Sequence, residues 1–166
     1  MALISKFNTK DIRLLQVLPH LGSGGLVSGA IEIASYLKSK GGVSLVLSSG
    51  GYREKDLNRT NCYLEFLPVD SKNPFIIIKN INKIVDIAKK YRINIIHARS
   101  RAPAWSAYLA SKKLKIPFIT TFHGTYGVEN YLKKEYNKVM IKGEATIAIS
   151  NFIKNHIKQE YKRNEK

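Results

Sequence analysis

Six short apolar runs, at 12–18, 43–47, 62–67, 94–98, 117–122 and 145–149, follow one another along the chain with helical or polar segments between them. This alternation restricts the fold more than any other feature. The runs I-R-L-L-Q-V-L and V-S-L-V-L are apolar enough to be buried on both faces of a sheet. Between them, Ile31, Ala34, Tyr36 and Leu37 fall at core-facing helical spacing before Gly41-Gly42 ends the segment. Pro74 opens a helix in which Ile77, Ile81, Ile84, Ala88 and Tyr91 recur every three or four residues. Further helices are predicted over 105–114 and 131–142, and after Ser150, which serves as an N-cap. Alternating strands and helices require crossover connections between parallel strands. The predicted class is therefore α/β, a Rossmann-like parallel sheet with helices on both faces. Residues 1–166 read as one domain with a polar lead-in at 1–10, without internal repeat or linker.

In such a sheet the chemistry lies in the loops at the carboxyl ends of the strands. Those loops hold Gly22 to Gly29, the polar stretch 49–59, His97 to Arg101, His123 to Gly127 and Ser150-Asn151. The first, P-H-L-G-S-G-G-L-V-S-G-A, joins a strand to a helix, a setting that brings backbone N–H groups and the positive end of a helix dipole to one point and suits an anion. A tight turn without ligand is the competing reading for glycines alone. Gly24 and Gly29 have P-loop spacing, but Ala30 and Ile31 stand where Lys and Ser/Thr are required. A dinucleotide fingerprint fails at Val27, the place of its third glycine, and at Ser48 and Ser49, where an acid belongs.

Hydrophobic residues make up 44% and charged residues 24%, a globular balance, and no apolar run approaches the roughly 20 residues that cross a bilayer. The N-terminal decapeptide lacks the apolar segment and cleavage site of a signal peptide, so a cytoplasmic location is expected. The single cysteine, Cys62, excludes an internal disulfide and a cysteine-rich zinc site. Lys and Arg outnumber Asp and Glu by 28 to 12, for a net charge of +16. That excess has two readings, compositional background in a Lys-, Ile- and Asn-rich chain or an anionic partner.

His97-Ala98-Arg99-Ser100-Arg101, T-T-F-H-G over 120–124 and A-T-I-A-I-S-N-F-I over 145–153, in that order and at strand ends, carry a resemblance. The sequence resembles the N-terminal half of the family-four glycosyltransferases, retaining enzymes of the GT-B fold that transfer a sugar from a nucleotide-sugar donor. The resemblance implies an acceptor-side domain facing a donor domain across a cleft, in cell-envelope glycan or glycolipid synthesis. By it, the backbone at Gly24 and Gly25 approaches the donor diphosphate, and His123 contacts the transferred sugar and is the catalytic candidate. His97 is either acceptor-lining or structural. Arg99 and Arg101 stand where a phosphate- or carboxylate-bearing acceptor could be gripped, since a guanidinium pairs with such oxygens. Trp105 reads as helix packing, while nothing selects His20 or Tyr126 within their loops.

The family's donor domain carries a pair of glutamates spaced E-x7-E, and no two glutamates here are eight apart. The expectation is that the donor half is absent, that a separate donor domain is a partner, and that the chain alone does not transfer. There is no Asp-x-Asp and no Gly-x-Ser-x-Gly, and neither metal nor cofactor is expected. The alternative is a non-catalytic basic module for an anionic membrane or RNA, using Lys133, Lys134, Lys138, Lys142, Lys154, Lys158 and Lys162. Peripheral contact with the inner face of the membrane is compatible with the transferase reading. Nucleic acid is disfavoured, because paired stacking aromatics on strands are missing.

Overall fold

The computed structural model describes residues 8–127 and 130–161. Six parallel strands form one sheet in the order β3-β2-β1-β4-β5-β6, where β1 is Arg13–Val17, β2 Val43–Ser48, β3 Tyr63–Phe66, β4 Ile95–Ala98, β5 Phe118–Phe122 and β6 Ala145–Ala148. The chain order reverses at β1, between β2 and β4, which opens a crevice at the carboxyl ends of β1 and β4. The register sets Val17 opposite both Leu47 and Ala98, so the loops after β1, β2 and β4 leave the sheet side by side.

The helices are α1 (Gly25–Ser39), α2 (Glu54–Asn58), α3 (Pro74–Lys90), α4 (Arg101–Leu114), α5 (Tyr131–Asn137) and α6 (Asn151–Tyr161). Strand alternation divides the interior in two. Leu15, Val17, Leu45, Leu47, Ile96 and Ala98 face a large core with α3, α4 and α6, whereas Val46 joins Val27, Ala30, Ala34 and Leu57 beneath α1 and α2. Helices thus cover both faces, as expected. β1, β2, β4 and β5 are buried nearly throughout, while the edge strands β3 and β6 are only partly covered.

Several boundaries differ from expectation for local reasons. α4 begins at Arg101, four residues before the predicted start, because Pro103 sits in the first helical turn, where its missing N–H has no intrahelical acceptor to lose. The segment 54–58, read as loop, is a short helix whose Leu57 is fully buried. Tyr36 is 57% exposed, and Val27 and Ala30 supply the core face of α1 instead. The predicted basic helix over 131–142 is α5 followed by a 3-10 turn, Lys138–Ile141. Ser150 does cap α6, accepting the Ile153 N–H at 3.3 Å. Of the lysines named for a basic surface, Lys162 lies outside the described residues.

Candidate functional site

After the part-buried Arg13, β1 places Leu14, Leu15 and Val17 in the interior, and the fully buried Gln16 interrupts them. Its amide donates from Nε2 to the Ala30 carbonyl of α1 at 2.9 Å and accepts from Arg99 Nε at 3.1 Å. Arg99, at the end of β4, is 4% exposed and donates also to the Leu26 and Gly29 carbonyls at 3.4 and 3.3 Å. Its Nη1 would stand 3.1 Å from a Cβ on Gly29, so the glycine leaves the space the guanidinium occupies. Burial draws the Arg99 pKa down to about 10, so it stays charged at neutral pH. The first turn of α1 thus rests on a buried cation and a buried amide.

Above that base the glycine turn is open. Gly24 is the N-cap of α1 at φ 107°, a left-handed conformation that a side chain would strain. A Cβ at Gly24 or Gly25 would meet nothing within 4 Å, and both residues are exposed. No acidic residue lies in the first turn. The helix N-terminus therefore presents backbone to solvent without a side-chain cap, an arrangement that can take an anion.

His123 follows β5 and is half-buried, and its Nε2 is buried without a hydrogen-bond partner among the described residues. Burial, with the nearby Arg99 charge, lowers its pKa below the ordinary histidine value, so the ring is neutral at neutral pH. His97 is 2% exposed with Nε2 2.7 Å from the Thr121 hydroxyl, and burial, reinforced by Arg99 and His123, pushes its pKa down to about 3. This placement favours the structural of its two readings. Arg99, engaged with protein oxygens beneath α1, is placed to position that helix rather than to grip an acceptor.

Arg101 stands apart from Arg99, at the start of α4. Its Nη1 donates to Asn137 Oδ1 at 3.0 Å, and the guanidinium lies 4.3 Å from the Tyr126 ring centroid. Trp105 donates from its indole to the Tyr136 carbonyl at 3.1 Å and packs on that ring, a helix-packing role. Sequence reasoning missed Gln16 and Asn137. A lone amide inside an apolar strand run was a signal for the first; nothing marked the second. Among the described residues, no three His, Cys, Asp or Glu side chains converge as metal ligands, and no helix is long and apolar enough to cross a membrane.

The family model described as Glycosyltransferase Family 4 matches residues 23–166, most of the chain. The chain belongs to that family. A glycosyltransferase from Rickettsia africae is 42% identical to this family-four chain, with a TM-score of 0.80 over 93% of it and 41% of the Rickettsia protein. HepE from Anabaena, solved in complex with UDP and glucose, matches 89% of the chain and 41% of its own length at 15% identity and a TM-score of 0.68. MurG from Acinetobacter baumannii matches 82% of the chain and 41% of its own length at 16% identity and a TM-score of 0.62. The last two share the fold. The family-four chain spans about two fifths of the length of each, and none of the curated proteins matches it. One Rossmann-like half of a GT-B fold is present, its carboxyl edge carrying an open helix N-terminus and a neutral histidine.

Proposed function

We propose that the chain forms the acceptor-side half of a retaining glycosyltransferase that transfers a sugar from a nucleotide-sugar donor, in cell-envelope glycan or glycolipid synthesis. The observation that carries this reading is the open Gly24-Gly25 turn, held from below by the buried Gln16–Arg99 pair, with His123 on the same sheet edge. Backbone N–H groups there approach the donor diphosphate without a side chain intervening. The neutral His123 offers its unpartnered Nε2 to a hydroxyl of the transferred sugar, and burial, reinforced by the Arg99 charge, disfavours protonation of the ring as negative charge arrives nearby. Arg101 contributes to the acceptor side. The protein works in the cytoplasm, at the inner membrane face. Exposed Tyr131 and Phe152, on helices rich in lysine, support that contact.

The test is sugar transfer from a nucleotide-sugar panel, followed by release of the free nucleoside diphosphate. Residues 1–166 alone are expected to be inactive, and activity is expected when the donor half of a family-four enzyme is supplied in the same chain. In that complete enzyme His123→Ala is expected to lower kcat at least about a hundredfold with an unchanged circular dichroism spectrum. Near-normal turnover would remove His123 from the site.

A further inference from the structure

The carboxyl edge of the sheet holds a second feature that neither the glycine turn nor His123 uses. A cavity of ≈ 790 Å³ opens beside the start of α4, lined in part by Lys72, Arg101, Leu132, Lys133 and Tyr136. Among the described lining residues Lys72, Arg101 and Lys133 are cationic and none is acidic. Lys72 comes from the loop after β3 and Arg101 from the first turn of α4, after β4, so two separate crossovers bring positive charge to one hollow. Such focusing of one sign of charge attracts an anionic guest.

The orientation of Arg101 points to the kind of guest. Neutral groups hold it, the Asn137 side-chain oxygen at 3.0 Å and the face of Tyr126 at 4.3 Å. Asn137 is itself fully buried and fixed by its donation to the Gly127 carbonyl at 3.0 Å. Among the described residues no acid pairs with Arg101 or Lys72. The guanidinium is therefore aimed without being neutralised, and a planar fork of donors suits two oxygens of one phosphate. The Tyr136 hydroxyl is buried and lacks a partner, and the Ser100 side chain makes no capping bond at the start of α4. The volume exceeds what a bare ion fills and falls in the range of small-molecule sites, about 300–1,000 Å³. Leu132 and Ala102 give it an apolar wall.

We propose that this cavity binds the phosphate of a phosphate-bearing acceptor, with Arg101 and Lys72 on the phosphate oxygens and Leu132 against the group attached to it. The proposal rests on the acceptor-side reading above and names the acceptor's chemical class.

The experiment follows backbone amide shifts of the full chain as inorganic phosphate, methyl phosphate or water-soluble geranyl phosphate is added. The expected response centres on Ser100, Arg101, Ala102 and Gly127. Dissociation constants are expected to rise about tenfold in Arg101→Gln and about threefold in Lys72→Gln, and to stay unchanged in Lys89→Gln, an exposed lysine in the last turn of α3. If Arg101→Gln does not fold, the exposed Lys72 decides. A stronger response to geranyl than to methyl phosphate assigns a lipid-linked acceptor, and an equal one a soluble phosphorylated acceptor. No response, a response spread over surface lysines or centred on Gly24 and Gly25, or equal binding by wild type and Lys72→Gln overturns the proposal. A complete enzyme that glycosylates a neutral acceptor without the cavity response overturns this inference alone. Phosphate bound in the cavity, with no sugar transfer by the complete enzyme to any acceptor, leaves the cavity standing and removes the transferase reading.

Discussion

His97 shows how one buried side chain ties stability to pH. Its folded pKa is about 3 against 6.5 for an exposed imidazole, with desolvation as the leading cause. Above pH 7 the ring is neutral in both folded and unfolded chains and contributes nothing to pH dependence. Below pH 6.5 the unfolded chain takes up the proton first, so stability falls with pH down to the folded pKa, by up to about 1.4 kcal/mol per pH unit. Urea unfolding at pH 7 and pH 5 is expected to show a loss of about 2 kcal/mol from this group. His97→Gln, which can still hydrogen-bond Thr121, is expected to remove most of it; His123, shifted in the same direction, keeps its own contribution. An unchanged loss would mean that His97 is hydrated in the folded chain. Arg99 differs because it remains charged while buried, and its compensation comes from three oxygens, Gln16 Oε1 and two helix carbonyls.

At the scale of elements, α1 separates two demands that its glycines meet. Gly29 makes room below for Arg99, whereas Gly25 borders open space above. Gly25→Val is therefore expected to leave stability within about 0.5 kcal/mol of wild type, since a Cβ there meets no protein atom within 4 Å. The same isopropyl group stands where a diphosphate would approach, and nucleotide-sugar affinity of the complete enzyme is expected to fall at least about tenfold by calorimetry. Equal affinity would place the donor elsewhere. This division explains what was legible in the sequence. The strand–helix alternation, the helix from Pro74 and the Ser150 cap are local patterns, and each is found at or near its predicted place. The glycines were legible as a turn, but which glycine admits Arg99 and which faces solvent depends on β4 lying beside β1, a pairing about eighty residues apart in sequence. Arg99 and Arg101 looked alike as neighbours on one loop. One is the buried support of α1 and the other the first residue of α4, because the strand ends just before Arg99 and the helix starts just after it, at the N-cap Ser100. Lys72 and Asn137 reach the cavity through tertiary structure alone.

For the whole molecule, the question is whether a net charge of +16 is directed. Partial answers come from neutralised lysines: Lys90 pairs with Glu65 at 2.9 Å, Lys134 with Glu160 at 3.5 Å, and Lys138 with Glu135. With 28 basic and 12 acidic residues, pairing cannot remove the excess. On α5 and α6, which follow the neighbouring strands β5 and β6, Tyr131 is 75% and Phe152 71% exposed. An anionic bilayer attracts each nearby Lys or Arg by about 1 kcal/mol, an attraction confined to a Debye length of about 8 Å at physiological salt. Aromatic insertion is less sensitive to salt, so the two contributions are separable. In sedimentation with vesicles of phosphatidylglycerol and phosphatidylcholine, binding is expected to weaken at least about tenfold between roughly 50 and 300 mM sodium chloride. Replacing Tyr131 and Phe152 together by Ser is expected to abolish what remains at the higher salt while preserving most binding at the lower. Salt-independent binding, or preference for RNA over vesicles, would assign the charge to something other than an anionic membrane surface.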